Sequence, residues 1–188
     1  MLELLGIFSA FGLSASAGLN AYIPLLVVAL LGRFTNLITL AEPWNALTSW
    51  WIIGLLIVLS AIEFFADKAP LANHVNDAVQ TIVRPAAGAI AFAASAQVVT
   101  DVHPILSLAL GLLVAGSVHA VKSVAVRPAV TATTAGAGNV PVSILEDVVS
   151  TVVSIVSVVV PVLIGLLLIA IATWLLWRSS RGSARRTA

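Results

Sequence analysis

The chain consists of long apolar stretches separated by short polar segments. The apolar stretches span residues 4–31, 50–65, 82–99, 104–121 and 148–177. A helix needs about 20 apolar residues to cross the hydrocarbon core of a bilayer. Lipid offers no partners to unpaired backbone groups, so the crossings must be helical. The pattern predicts an all-α membrane bundle with about five crossings, in a single membrane domain over residues 1–177.

Composition supports lipid as the solvent for most of the chain. Hydrophobic residues make up 60% of the sequence and charged residues 9%, with a mean hydropathy of +1.11. Soluble domains carry about 25% charged residues. Cysteine is absent, which excludes disulfides and cysteine-based metal sites. We expect no metal or other cofactor.

The Arg-rich segment 178–188 is predicted to be a disordered tail that anchors the topology. It is short and lacks interleaved aromatic residues, so the sequence does not indicate nucleic-acid binding.

Tracing the five crossings in order puts five tryptophans on the same side of the membrane as Arg33 and the tail. These tryptophans are Trp44, Trp50, Trp51, Trp174 and Trp177. Tryptophan favours membrane interfaces and arginine the cytoplasmic side. We therefore predict a plasma or inner membrane protein with a cytoplasmic tail. A second crossing within residues 141–177, around Pro161, would move the tail to the other side.

The same trace collects charged residues on the opposite side. They are Glu63, Asp67, Lys68, Asp77, Arg84, His119, Lys122, Arg127, Glu146 and Asp147. A charge within a span costs about 2.5–3.5 kcal/mol, so such charges normally pair or line a water-filled cavity. Two interpretations stay open: the residues are salt bridges that lock the bundle, or they bind a substrate or ion. Glu63 and Arg84 are the stronger functional candidates, because apolar sequence flanks them closely.

Two segments, "DAVQTIVRPAA" and "HAVKSVAVRPAV", resemble each other and suggest a possible internal repeat. Proline interrupts helical hydrogen bonding and disfavours helix at the residue before it. Each Arg-Pro pair is therefore predicted to mark a helix start or kink. Arg84 and Arg127 are expected either to pair with an acid, such as Glu63 or Glu146, or to contact an anion.

Two Gly-rich interruptions, "GLSASAGLNAYIP" and "GAGNVP", each place an asparagine shortly before a proline. Asn20 and Asn139 are predicted to cap helices that begin inside the membrane, with the proline in an early turn. We therefore expect two broken or re-entrant helices. Helix N-termini that point at a substrate are typical of transporters.

A polar stripe follows the second interruption. Ser143, Asp147, Ser150, Ser154 and Ser157 recur at spacings that place them on one helix face. The serines either pack against another helix or line a substrate pathway.

Three motifs in order carry a family resemblance: "GLSASAGLNAYIPLL", "EFFADK" with "RPAAGA" downstream, and "GAGNVPVSILEDVV". Together they resemble an uncharacterised family of small bacterial integral membrane proteins, catalogued as domain of unknown function four-one-two-six. The family pattern has Asp and Trp at places that look like Asn73 and Asn76 here. The resemblance covers nearly the whole chain except the tail. It implies a polytopic membrane protein and no established activity.

Three classes of function follow. The favoured one is a small-solute or ion transporter or channel-like protein, in which Glu63, Asp67 and His119 could relay protons; its solute would be a small anion, a phosphate-bearing lipid or a cation. The alternative is a non-catalytic protein that binds membrane lipid or assembles a membrane complex. The least favoured is an intramembrane serine enzyme that uses Ser14 or Ser16 with His119. Because the chain is short, we expect a homo-oligomer.

Overall fold

The computed structural model describes the backbone of residues 2–68, 73–96 and 103–184. These residues form helices and no strand, which confirms the all-α prediction. The helices are α1 (Leu2–Leu19), α2 (Tyr22–Phe34), α3 (Trp50–Ala66), α4 (Asn73–Ala96), α5 (Pro104–Val121), α6 (Arg127–Thr134), α7 (Asn139–Val159) and α8 (Pro161–Ala184). A short 3₁₀ turn, Trp44–Thr48, precedes α3, and a π turn, Lys122–Val126, joins α5 to α6.

Within the described part of the chain, three helical stretches are long and apolar enough to cross a membrane. They are Pro104–Thr134, Asn139–Val159 and Pro161–Arg178. Shorter apolar helices cover Leu4–Leu19, Tyr22–Phe34 and Trp50–Ala66. These helices indicate a membrane-embedded protein, and the number of crossings stays a prediction.

The first apolar run divides at Asn20, where the Gly-rich stretch predicts an interruption. The side-chain Oδ1 of Asn20 accepts hydrogen bonds from the backbone N–H groups of Tyr22 (3.2 Å) and Ile23 (3.1 Å). These donors lie in the first turn of α2, where no carbonyl of the helix can reach them. Asn20 therefore caps α2, as the sequence predicts.

The last apolar run forms two helices, so the prediction of a single segment over residues 148–177 is wrong. α7 already begins at Asn139, and the helix is interrupted at Val160, whose φ of −137° and ψ of 64° lie outside the helical region. Pro161 provides the reason, because a residue before proline is disfavoured in helix. α8 then extends to Ala184, beyond the predicted boundary at residue 177, and residues 185–188 lie outside the described part of the chain.

α8 folds back along α7. Ile171 and Leu175 line one cavity together with Val142 and Leu145, from the first half of α7, whereas Pro161 follows the end of α7. The two helices are therefore antiparallel.

The direction of α8 overturns the predicted grouping of tryptophans. Leu175 shares a cavity with Glu146, so Trp174 and Trp177 lie towards the charged cluster. Trp50 begins α3, whereas Glu63 lies near the end of that helix. The two groups of tryptophans therefore lie at different ends of the bundle. The cytoplasmic location of the tail stays a prediction, and the positions of the tryptophans no longer support it.

The second Gly-rich interruption is built differently from the first. Ala135 (φ 50°) and Gly136 (φ 87°) adopt left-handed conformations that end α6. Asn139 is the first residue of α7, and its side chain exchanges hydrogen bonds with Thr131 at 3.0 and 3.2 Å. The prediction that Asn139 caps α7 is therefore wrong. The hydroxyl of Thr134 accepts from the backbone N–H of Gly138 (2.9 Å) instead.

Small residues let α1, α4 and α5 pack closely. A Cβ atom on Gly111 would lie 2.4 Å from the carbonyl oxygen of Gly88 on α4. Ser14 of α1 donates to the carbonyl oxygen of Gly111 (2.7 Å), and a Cβ on Gly18 would lie 2.6 Å from the carbonyl oxygen of Ala115. Such contacts are typical of helix packing in lipid, where the hydrophobic effect does not drive association.

We predict that Gly111→Ala lowers the free energy of unfolding by about 1–3 kcal/mol, because the added methyl group meets backbone that cannot move aside. The matched control is Gly54→Ala, since nothing lies within 4 Å of a Cβ there. Unfolding in detergent micelles, followed by circular dichroism, measures both variants. Equal stability of the two variants would contradict the close α4–α5 packing.

Candidate functional site: a buried ionic network

The structure brings most of the predicted charged residues into one buried network. Its members come from α3, α4, α5, the π turn, α6 and α7, and they surround the interruption between α1 and α2. The buried members are Glu63, Asp67, Arg84, His119, Lys122, Arg127, Glu146 and Asp147. Lys68 joins the network at its rim. The side chain of Asp77 lies outside the described part of the chain.

Glu63 and Arg84 form the deepest ion pair, and both side chains have 0% exposure. Arg84 Nη2 lies 2.9 Å and Nε 3.2 Å from Glu63 Oε1. The carboxylate also accepts from the backbone N–H of Ala21, which is 3.1 Å from Oε2. Glu63 therefore stands at the N-terminus of α2, where free N–H groups and the helix dipole favour a negative charge.

Asp67 is the centre of the network, because cations on three elements surround it. Arg84 Nη2 lies 3.3 Å, Arg127 Nη2 3.0 Å and Lys122 Nζ 3.7 Å from Asp67 Oδ2. The other oxygen, Oδ1, accepts from Asn76 Nδ2 at 2.5 Å. The arginines of both Arg-Pro segments thus converge on one carboxylate.

The two Arg-Pro segments differ in backbone. α4 continues through Pro85, so no helix starts at Arg84, and the alternative of a kink at this Arg-Pro pair stays a prediction. At Arg127 the chain does change: the π turn precedes it, and α6 begins there with Pro128 in its first turn.

The π turn determines where two of the cations point. The backbone N–H of Arg127 donates to the carbonyl of Lys122, five residues earlier. On a regular α-helix, residues five apart point about 140° away from each other. The wider turn brings Lys122 and Arg127 onto one face, so both reach Asp67 and Glu146. π turns often occur at functional sites, and no feature used in the sequence analysis predicted this one.

Lys122 connects Glu146 to the end of α1. Its Nζ lies 2.8 Å from Glu146 Oε2 and donates to the carbonyl oxygen of Leu19 at 3.0 Å. Leu19 is the last residue of α1, where a positive charge is favoured by the helix dipole. Arg127 Nη2 also approaches Glu146 Oε2, at 3.5 Å.

Asp147 forms the rim of the network. Its Oδ2 lies 2.9 Å from Lys68 Nζ, and its Oδ1 accepts from Asn20 Nδ2 at 3.0 Å. The Lys68 and Asp147 side chains are 14% and 12% exposed, whereas those of Arg84 and Glu63 are fully buried. The residue that interrupts the first helix is thereby hydrogen-bonded to the network.

His119 contacts the network through Arg84. Arg84 Nη1 lies 3.2 Å from His119 Nδ1, and the hydroxyl of Thr81 lies 3.3 Å from Nε2. A guanidinium accepts no hydrogen bond, so Nδ1 must be the acceptor. The geometry therefore fits a neutral imidazole with its proton on Nε2.

Among the side chains that the structure describes, the charges of the network balance. The carboxylates of Glu63, Asp67, Glu146 and Asp147 face the cations of Lys68, Arg84, Lys122 and Arg127. An added ion must therefore displace an internal partner or enter together with an ion of opposite charge.

Within residues 2–68, 73–96 and 103–184, no group of three or more His, Asp and Glu residues is placed to hold a metal ion.

The serine stripe of α7 packs against α1. Ser16 donates to the carbonyl of Ser150 (2.7 Å), and its hydroxyl lies 2.6 Å from that of Ser154. Further along, Ser9 donates to the carbonyl of Ser157 (2.6 Å). Ser143 is buried and has no hydrogen-bond partner among the described residues. Helix packing accounts for three of the four serines, and a pathway lined by Ser143, Ser150, Ser154 and Ser157 stays a prediction.

A cavity of about 740 Å³ lies between α1, α5, α7 and α8, next to the network. Its lining is apolar apart from Ser117, Lys122 and Glu146. This cavity could not be predicted from the sequence, because its outer wall exists only when α8 folds back along α7.

Comparison with known families identifies the chain. Residues 7–181 match the family described as Domain of unknown function (DUF4126). The chain belongs to the DUF4126 family. The resemblance seen in the three motifs is thereby confirmed. Comparison with curated proteins and with solved structures finds no match. The DUF4126 description names no activity, so a function must be argued from the network and the cavity.

We predict that Arg84→Met destabilises the protein by about 3–5 kcal/mol, because it leaves the buried Glu63 carboxylate without its cation. Adding Glu63→Gln should recover much of this loss, since the second change removes the unpaired charge. Unfolding in detergent micelles measures the single and double variants, with the exposed Arg33→Met as control. A double variant less stable than Arg84→Met would contradict the pairing.

The two asparagines provide a matched pair of variants. Asn20→Ala removes two capping bonds and the bond to Asp147, so we expect a loss of about 0.5–2 kcal/mol. Asn139→Ala removes only bonds to an exposed threonine and should cost less. The same unfolding measurement ranks them. A larger loss for Asn139→Ala would contradict the unequal roles.

Proposed function

We propose that this DUF4126 protein is a membrane transporter or channel-like protein for a small solute or ion, with the ionic network as its binding site. The observation that carries the proposal is the network itself. Four carboxylates and four cations among the described side chains meet in a bundle of apolar helices, at the point where α1 and α2 are interrupted.

Stability alone is a weak reason for such a network. Taking charges out of water costs several kcal/mol per ion, and apolar replacements of a buried ion pair are often neutral or stabilising. Ionisable groups within membrane helices more often mark a path for ions or substrates. This argument favours a binding role over a purely structural one.

The backbone around the network supports the same role. The α1–α2 interruption and the π turn both supply groups to it: the N–H of Ala21 to Glu63, the carbonyl of Leu19 to Lys122, and the guanidinium of Arg127 to Asp67. Discontinuous helices that present backbone groups to ions are a recurrent feature of transporters.

Exchange of partners provides a mechanism. Glu63 occupies the anion-favouring end of α2, and Asp67 is shared by three cations. A solute ion that takes the place of one internal partner would release that side chain and loosen the helices that it holds together. Departure of the solute would let the internal pair form again and close the network.

A second candidate function rests on a different observation. The apolar cavity beside α8 favours a non-catalytic protein that binds membrane lipid or assembles a membrane complex. Such a protein would move no solute. Its purification should instead retain lipid or a larger complex.

The test is flux through liposomes that contain the purified protein. We expect movement of protons or of a small ion, and loss of that movement in Asp67→Asn, which removes the charge shared by three cations. The matched control is Glu42→Gln, at an exposed carboxylate in the loop before α3, which should retain flux. Circular dichroism checks that both variants fold.

Two outcomes would contradict the proposal. One is the absence of flux for protons, sodium, potassium, chloride and phosphate from folded protein. The other is unchanged flux in folded Asp67→Asn.

A further inference from the structure

The cavity and the network meet at one place, and we infer that together they bind an amphiphilic anion: a hydrocarbon chain in the cavity and a carboxylate or phosphate group at Lys122 and Arg127. This inference deepens the proposed function, on which it rests in taking the network as a ligand-binding site. It names the chemical class of the ligand.

The cavity is suited to a hydrocarbon chain. Its volume is about 740 Å³, and Val121, Val149, Ile171 and Leu175 are among the apolar residues that line it. A polar solute there would lose its hydration without gaining hydrogen bonds from such walls, whereas apolar groups lose nothing. A small hydrated ion alone is therefore a poor occupant.

An anion is the ligand that the cations beside the cavity would receive in place of Glu146. Lys122 and Glu146 line the cavity, and Arg127 lies behind them, with its Nη2 3.5 Å from Glu146 Oε2. Both cations also contact Asp67, so Glu146 is one of two carboxylates that they share, and of these two it is the one that lines the cavity. Lys122 and Glu146 line the cavity through their aliphatic parts, so a ligand oxyanion would reach Lys122 Nζ by displacing the Glu146 carboxylate.

Glu146 is the carboxylate that a ligand can replace most readily. Its Oε2 lies 2.8 Å from Lys122 Nζ but accepts no hydrogen bond of regular geometry. Glu63, by contrast, accepts hydrogen bonds from Arg84 and from the backbone of Ala21. Glu146 therefore occupies the position that we assign to the ligand oxyanion. Its negative charge competes with the ligand for Lys122 and Arg127.

The test is calorimetric titration of detergent-solubilised protein with decanoate, a soluble anion with a single alkyl chain. We expect decanoate to bind, and Glu146→Gln to bind it about tenfold more tightly, because the competing charge is gone. The matched control is Glu42→Gln, which neutralises an exposed carboxylate and should leave the affinity unchanged.

Two further arms separate the alkyl chain from the oxyanion. Ile171→Trp fills the cavity and should weaken decanoate binding, whereas Ile169→Trp changes an exposed residue that does not line it and should not. Decanol, which lacks the charge, and inorganic phosphate, which lacks the chain, should each bind more weakly than decanoate.

Contrary results would overturn the inference in distinct ways. Unchanged affinity in folded Glu146→Gln would remove the role of Glu146, and equal binding of decanol would reduce the site to an apolar surface. Phosphate binding as tight as that of decanoate would identify a free oxyanion as the ligand. Decanoate binding as expected without any flux would contradict only the transport proposal. Flux without decanoate binding would contradict only this inference.

Discussion

An interrupted helix in lipid leaves backbone N–H and C=O groups without water as a hydrogen-bond partner. The structure depends on the side chains that bind these groups at Asn20. The asparagine side chain caps α2, Glu63 accepts a hydrogen bond from the N–H of Ala21, and Lys122 donates one to the carbonyl oxygen of Leu19. One negative and one positive side chain therefore satisfy backbone groups at the interruption. The buried network extends from these two charges.

The network in turn depends on convergence of several elements on Asp67. Three cations reach this carboxylate, and two of them, Lys122 and Arg127, share a face only because the π turn lies between them. Small residues make the convergence possible, since Gly88 and Gly111 let α4 and α5 approach within backbone contact. Serine hydroxyls on α7 fix its position against α1. The ionic network and the helix packing therefore use different side chains of the same helices.

Much of this arrangement was predictable from the sequence. Apolar length identified the helices, and the positions of the charges along them placed Glu63, Arg84, Lys122 and Glu146 at one end of the bundle. The capping role of Asn20 followed from local chemistry alone. Each of these features is decided by residues close together in the chain, or by the requirement that charged side chains avoid contact with lipid and lie close to one another.

Other features arose only in the folded chain. Residues 148–177 have one continuous apolar composition, yet Pro161 separates two antiparallel helices, and only their packing creates the cavity and relocates Trp174 and Trp177. Asn139 has the same local sequence signal as Asn20 but bonds Thr131, because a left-handed turn brings α6 beside it. By itself the sequence determined which residues form helices and which charges need a partner inside the bundle. The tertiary structure decided which partners they meet, because pairing depends on helix direction and on the single extra residue of the π turn, neither of which alters the hydrophobic pattern.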